Sequence, residues 1–437
     1  MAKSSLSHCH VMAKPTGSVC NLDCSYCFYL EKEKLYPGRN KHWMMNDETL
    51  SNYIEQYIKA QPHPEVEFVW QGGEPTMMGL DFFKKVIELQ QTFSNGKSIR
   101  NCIQTNGILL NEAWCKFLKK HEFLVGISID GPADLHDHYR VNRSGKPSHD
   151  KVVKAIEKLK KYKVEFNILT VVNDYNAEHP ERVYEFLLST GAKYLQFIPL
   201  VERSSSVPTE EGLYLVSPEY SNVANVTPWS VIPEAYGQFL CRVFDQWIRN
   251  DVGEIFVQMF DTTLASWYGM PPGVCVFAET CGHNLALESN GDVYNCDHYV
   301  YPEHRLGNIH TDTILDMNNS EKAIEFGLDK KSTLSKDCRE CQYKFACHGG
   351  CPKHRFAISS SGKAEQNYFC KSYKQFFKHS EAKMRTMVEL ISHHRPASDI
   401  MRRFVPKEIS TKKKMVARND SCLCGSGKKY KKCCMNQ

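Results

Sequence analysis

Three cysteines fall within eight residues, Cys20-Asn21-Leu22-Asp23-Cys24-Ser25-Tyr26-Cys27. In a reducing compartment, thiolates this close bind a soft metal rather than pair as disulfides. A closed four-iron cluster takes four cysteines. The next one here is Cys102, so a cluster on this run keeps one iron free of protein ligands and open to chemistry. The competing reading is a zinc knuckle completed by His8 or His10, a histidine spacing that fits no common zinc pattern. A second group, Cys275, Cys281, Cys296, Cys338, Cys341, Cys347, Cys351 and Cys370, supplies the eight thiolates of two closed four-iron clusters. A pair of structural zinc sites is its alternative. A third group, Cys422, Cys424, Cys433 and Cys434, places four thiolates within thirteen residues, enough to close one tetrahedral zinc site and so to fold a peptide too small for a core. Cys9, Cys102, Cys115 and Cys241 stand alone and read as small core residues.

Rigid elements must hold these thiols. The spacing of Leu50, Tyr53, Ile54 and Tyr57 predicts a helix over 47–59. Residues 66–70 read as a strand that enters Gln71-Gly72-Gly73-Glu74-Pro75 and is followed by a helix over 80–93. The same unit recurs, with strands over 98–104, 124–129, 165–172 and 194–199 and helices over 111–121, 151–162 and 180–189. Such alternation predicts an α/β fold, a parallel sheet backed by helices in a partial (β/α)6 TIM-like barrel. Working residues in such folds sit where strands end. Gly72, Thr105-Asn106-Gly107 and Asp130-Gly131-Pro132 all fall there. Residues 201–233, rich in Ser, Pro, Glu and Asn, read as an irregular insertion. Beyond it, 284–295 predicts a hairpin turning at Ser289-Asn290-Gly291-Asp292, and 371–391 predicts a closing helix.

At 437 residues the chain exceeds one ordinary core. The expected division is a barrel over 1–230, a small cysteine-rich α+β domain over 231–395, a basic linker over 396–418 and a zinc motif over 419–437. Apolar content of 42% and charged content of 24% are those of a soluble globular protein. No stretch approaches the ~18 apolar residues of a membrane span, and residues 1–19 lack the apolar core of a secretion signal. The expectation is a cytoplasmic protein with no membrane partner. The formal charge of +5 hides an asymmetry: Arg402 to Lys432 alone carries +9, which leaves −4 elsewhere. A basic tail favours acidic partners, although a solvated linker is the plainer reading.

The 20–27 run resembles the signature of the radical S-adenosylmethionine (AdoMet) enzymes, and Gln71-Gly72-Gly73-Glu74-Pro75 resembles their Gly-Gly-Glu-Pro motif. The resemblance implies an open iron that chelates AdoMet and cleaves it reductively to a 5′-deoxyadenosyl radical. It also implies AdoMet contacts from Gly72, with Glu74 nearby for the ammonium, from Tyr26 along the adenine, from Ser128 and Arg140 at ribose and carboxylate, and from the Val201 backbone at the adenine. The second cysteine group is similar to the SPASM domain of radical AdoMet peptide maturases, a likeness that runs from about residue 15 to 377. It implies interleaved clusters, Cys275, Cys281, Cys296 and Cys351 on one and Cys338, Cys341, Cys347 and Cys370 on the other.

Within that family, Cys-Asn-Leu-x-Cys-x-Tyr-Cys-Phe-Tyr, Gln-Gly-Gly-Glu-Pro-Thr, Gln-Thr-Asn-Gly, the octapeptide at 162–169 and Cys-Asp-x-Tyr-Val at 296–300 resemble the anaerobic sulfatase-maturating enzymes. This implies oxidation of a Cys or Ser in a Cys/Ser-x-Pro-x-Arg segment of a sulfatase to Cα-formylglycine. Three four-iron clusters, AdoMet and an electron donor such as flavodoxin or ferredoxin follow from it. So does Asp297 as the proton acceptor; an Asp capping the turn after Cys296 is the plainer reading. The alternatives are another SPASM peptide maturase, forming a thioether or other crosslink, and a non-catalytic iron–sulfur or zinc protein. The last has no need of an AdoMet pocket. The tail Cys422-x-Cys424-Gly-Ser-Gly-Lys-Lys-Tyr-Lys-Lys-Cys433-Cys434 resembles the SEC-C zinc motif, implying zinc and contact with the ribosome or a chaperone. A purely structural knob is the other reading.

Overall fold

The computed structural model describes residues 9–38, 43–404, 418–419, 421 and 426–434. Its framework runs β1 (His10–Lys14), α1 (Asp47–Ala60), β2 (Glu65–Trp70), α2 (Gly79–Phe93), β3 (Ser98–Thr105), α3 (Glu112–Lys120), β4 (Leu124–Ser128), α4 (His149–Lys161), β5 (Phe166–Val172), α5 (Pro180–Ser189) and β6 (Tyr194–Pro199). It continues through α6 (Pro233–Asn250), β7 (Phe256–Val257), α7 (Gln258–Trp267), β8 (Asn284–Glu288), β9 (Asp292–Tyr294), β10 (Arg305–Asn308), α8 (Glu321–Ser332) and α9 (Cys370–Ser392). Among the described residues no helix is long and apolar enough to cross a membrane.

Local chemistry explains the elements. Asn46 caps α1 by accepting from the Thr49 amide at 2.8 Å, and Leu50, Tyr53, Ile54, Tyr57 and Ile58 form its buried stripe. Asn111 caps α3 in the same way at Trp114. Strand β2 buries Val66, Phe68 and Trp70 beneath that stripe, with Tyr53 edge-on to both rings. Short turns between apolar strands and amphipathic helices leave a parallel sheet as the arrangement that buries both.

One sheet carries the molecule. Its order is β10-β9-β8-β1-β2-β3-β4-β5-β6-β7, parallel from β8 across to β7 and antiparallel through the β8-β9-β10 meander. The alternating units and the hairpin at Gly291 (φ +90°) are as expected. Strand β1 was not expected. It lies upstream of the cysteine run, and five residues with only Val11, Ala13 and Lys14 buried carry too little apolar signal.

The sheet continues past residue 230. Helix α6 and strand β7 add a further unit beside β6. At the other edge β8 pairs with β1 residue for residue, from His10 opposite Asn284 to Lys14 opposite Glu288. The cysteine-rich region therefore shares its backbone hydrogen bonding with the barrel.

A buried polar knot pins α2 to this sheet. Asn101 accepts from Trp70 Nε1 and from Gln90 Nε2, each at 2.9 Å, and donates to Gln90 Oε1 at 2.8 Å. Asn101→Ala strands those partners, and stability falls by about 3 kcal/mol. Anaerobic thermal unfolding followed by circular dichroism checks this; an unchanged midpoint contradicts it.

Candidate functional site

After Lys14 the chain turns tightly, Gly17 N donating to Lys14 O at 2.9 Å, and runs beneath the end of β2. There Gly73 N donates to Gly17 O at 2.7 Å and Glu74 N to Val19 O at 3.0 Å. A Cβ on Gly73 falls 2.0 Å from Val19 O, and one on Gly72, at φ +124°, falls 2.8 Å from Gly17 O. Two backbones touch here, and only glycine permits it. The contact fixes the residue before Cys20.

The three thiols of the loop lie within electrostatic reach of one another. Burial pushes Cys20 up to about 12, with Glu74 adding and Arg140 opposing, and burial pushes Cys24 to about 12 as well. Cys27 is raised for the same first reason. Burial raises lone core cysteines such as Cys241 in the same way, so it is the gathering of three thiols on one loop that suits a soft metal. Three soft donors gathered without Cys102, which sits on β3 against Glu67, fit a cluster that keeps an open iron. Glu74 is fully buried, and its oxygens accept from Thr76 N, Thr76 Oγ1, Thr105 Oγ1 and Asn106 N at 2.5–3.0 Å. Its first task is to tie the β2 and β3 loops together.

Behind the thiols, Tyr26 donates to Asp130 Oδ2 at 2.5 Å, and Arg140 Nε donates to the same oxygen at 2.9 Å. The Arg140 guanidinium stands 5.6 Å over the Tyr26 ring. Asp130 Oδ1 accepts from Val171 N at 3.0 Å, so this buried carboxylate anchors both residues to β5. Cys24, Tyr26, Leu22 and Leu200 share one apolar cluster, with Cys20 and Cys27 packed against it. Val201 follows directly and is 2% exposed. Ser128, at the end of β4, accepts from Gln104 Nε2 at 2.9 Å.

Asp297 reaches this end of the sheet from beyond β9. It makes a close ion pair with Lys14, which is 1% exposed and lies 4.1 Å above the Tyr29 ring. Burial works to raise the Asp297 carboxyl, but Lys14 and then His298 hold it below the ordinary carboxylate range. Beside them Lys353 donates to Glu202 at 2.5 Å, both nearly buried, with its ammonium 4.4 Å over Phe28. Lys32 sits 3.1 Å over Tyr301, and burial, reinforced by Lys353, lowers it to about 7.

Lys14, Lys353 and Glu202 escaped the sequence reading, and Asp130 was placed at a strand end without its partners. Asp130 and Lys353 had weak signals, a strand-end position and a place two residues after Cys351. The other two had none, because their partners are distant in the chain.

The later thiols form two groups. Cys338, Cys341, Cys347 and Cys370 line one pocket with Gln366, Tyr343, Tyr373 and Phe377. Burial pushes Cys347 to about 12, with Cys370 and Cys338 adding. Cys275, Cys281, Cys296 and Cys351 act on one another: Cys351 reaches about 12 through burial and then Cys281 and Cys275, and Cys296 is raised well above its ordinary value by burial and then Cys351. Four soft donors in each group suit a closed cluster. Cys433 and Cys434 have their sulfurs 3.8 Å apart, while Cys422 and Cys424 lie outside the described residues.

Residues 15–187 match the Radical SAM superfamily, residues 275–342 an iron–sulfur cluster-binding domain, SPASM, and residues 418–436 the SEC-C motif. The chain is 47% identical to the serine-type anaerobic sulfatase-maturating enzyme of Bacteroides thetaiotaomicron, over 90% of this chain and 94% of that one. It is 36% identical to the cysteine-type enzyme of Clostridium perfringens, over 85% and 95%. A solved structure described as native anSMEcpe with bound AdoMet and Cp18Cys peptide superposes with a TM-score of 0.76 at 33% identity, over 87% of this chain and 99% of that one. With its three-thiol loop, its two later thiol groups and these relatives, the chain belongs to the anaerobic sulfatase-maturating enzymes of the radical SAM superfamily.

Proposed function

We propose that this chain oxidises the Cys or Ser of a Cys/Ser-x-Pro-x-Arg segment in a sulfatase to Cα-formylglycine. The observation that carries the reading is the convergence of the 20–27 loop and Asp297 on one end of the sheet, joined through Lys14. Cys20, Cys24 and Cys27 would hold a four-iron cluster with one iron open to AdoMet, which would supply the one-electron reduction that frees a radical able to take a hydrogen atom from the substrate Cβ. Asp297 accepts the thiol or hydroxyl proton, and Lys14 keeps it ionised and aimed until then. Tyr26 and Arg140, locked through Asp130, form the wall for the adenine and carboxylate ends of AdoMet. Gly72 opens the backbone to it, and Ser128 and Val201 complete the contacts.

The substrate loses two hydrogens, one as an atom and one as a proton accompanied by an electron. Closed clusters would be held by Cys275, Cys281, Cys296 and Cys351 and by Cys338, Cys341, Cys347 and Cys370, three clusters in all with that of the 20–27 loop, and would supply the acceptor for that electron, with a carrier such as flavodoxin or ferredoxin as the outside partner. A cysteine target then exchanges sulfur for oxygen with water. Zinc on Cys422, Cys424, Cys433 and Cys434 folds the tail, whose lysines bring the enzyme to the ribosome or a chaperone and so to nascent sulfatase.

Anaerobic incubation with Cys-x-Pro-x-Arg and Ser-x-Pro-x-Arg peptides, read by mass spectrometry, tests the reading. Formylglycine is expected from at least one. A product that has lost two hydrogens but retained sulfur points instead to a crosslinking maturase.

Asp297→Asn lowers formylglycine formation at least ~100-fold while 5′-deoxyadenosine is still released. Near-parental formylglycine rates remove Asp297 from the reaction. Arg140→Ala leaves Asp130 buried without its cation. Stability falls by about 3 kcal/mol, and equilibrium dialysis shows weaker AdoMet binding; unchanged binding contradicts the assignment.

A further inference from the structure

Residues 347–351, Cys-His-Gly-Gly-Cys, connect the two later thiol groups, since Cys347 belongs to one and Cys351 to the other. All three residues between them are left-handed: His348 at φ +46°, Gly349 at +76° and Gly350 at +62°. The coil turns their carbonyls onto a single side chain. Arg355 donates from Nε to Gly349 O at 3.2 Å and from Nη2 to His348 O at 3.2 Å and Gly350 O at 3.5 Å. Its Nη1 donates to Lys330 O at 2.8 Å. Asn367 Nδ2 braces the other flank through Gly349 O and Cys351 O, each at 3.2 Å. A Cβ on Gly349 would lie 2.8 Å from Arg355 Nη2, so the guanidinium is seated against the connecting backbone itself.

From this seat on the bridge, the charge of Arg355 is felt by thiols of both groups. The thiols it acts on include Cys338 of one and Cys351 and Cys281 of the other. A second cation lies close by. Lys330 is fully buried, and its ammonium donates to Cys275 O at 2.6 Å and Val276 O at 3.0 Å. The thiols within its reach, Cys281, Cys351 and Cys275, belong to one group.

A cluster that takes up one electron gains one negative charge. A fixed cation nearby stabilises the reduced form and raises the reduction potential, and burial magnifies the effect.

We propose that Arg355 and Lys330 make the two later thiol groups a graded electron sink: Arg355, on the bridge between them, raises the potential of both, and Lys330 raises that of the Cys275 group alone. This rests on reading the eight cysteines as ligands of two clusters. The electron is the one released when the substrate radical loses its proton to Asp297. It enters the Cys275 group, one cluster being reduced by one electron, and an external one-electron carrier of the flavin or iron–sulfur class reoxidises the pair.

The test uses full-length, iron-reconstituted protein carrying Cys20→Ala, Cys24→Ala and Cys27→Ala, so that only the later sites titrate. Midpoints are measured by anaerobic redox titration with electron paramagnetic resonance, alongside iron content. Arg355→Gln is expected to shift both midpoints to more negative potential by at least a tenfold change in the reduced-to-oxidised ratio, about 59 mV for one electron. Lys330→Met is expected to shift one midpoint only, and Arg355→Lys to stay near the parent. Intact iron with unmoved midpoints overturns the proposal. So does loss of iron in Arg355→Gln that Arg355→Lys restores with no link between charge and potential, since Arg355 is then a clamp. A parent that binds no iron at these cysteines refutes the underlying reading itself, a failure told apart by the iron content alone.

Discussion

Strand β1 is the constraint on which the site depends. It hydrogen-bonds to β2 on one side and to β8 on the other, and its last residue, Lys14, points the chain into the thiol loop. Through β2 it fixes the glycine-lined backbone contact before Cys20; through β8 it fixes the hairpin that delivers Asp297. Strands β1 and β2 each bury one face, and a one-residue slip would turn that face outward, so the register is strongly specified. A slip of one residue would part Lys14 from Asp297 and move the thiols away from the Gly72 turn.

Around that strand the protein buries an unusual set of charges. Arg140 with Asp130 and Lys353 with Glu202 are nearly solvent-free pairs, buried Lys14 meets a partly exposed Asp297, and Lys32 and Lys330 are buried cations that rest on a ring and on carbonyl oxygens. Pairs of this kind contribute little net stability, because desolvation offsets most of the attraction. Their value is geometric and electrostatic. Each holds a group at fixed orientation beside thiols that burial drives toward the neutral form, where incoming metal and ligand charges are least screened. The cations cluster at the seam between the barrel strands and the cysteine-rich region, where an anionic cofactor set fits them.

Much of this was legible in the chain itself. Cysteine counting separates a run of three thiols from a later set of eight, though not which four of the eight belong together, and the βα rhythm of residues 66–199 predicts the sheet because apolar strands and amphipathic helices repeat at distinct periods. The Ser289-Asn290-Gly291-Asp292 turn marks its hairpin because only glycine takes φ +90° without strain. What escaped depends on distant partners. Lys14 reads as an ordinary surface lysine until Asp297, far along the chain, is brought beside it. Asp130 reads as a turn residue until Tyr26 and Arg140 converge on one of its oxygens. Strand β1 is too short for its period to register.

The account turns on hydrogen abstraction from the substrate Cβ by a radical generated at the 20–27 loop. Its most direct measurement is the mass of 5′-deoxyadenosine released during anaerobic turnover of a target peptide deuterated at that carbon. The account predicts a product one mass unit heavier, formed in step with formylglycine. Formylglycine that accumulates beside wholly unlabelled 5′-deoxyadenosine contradicts it.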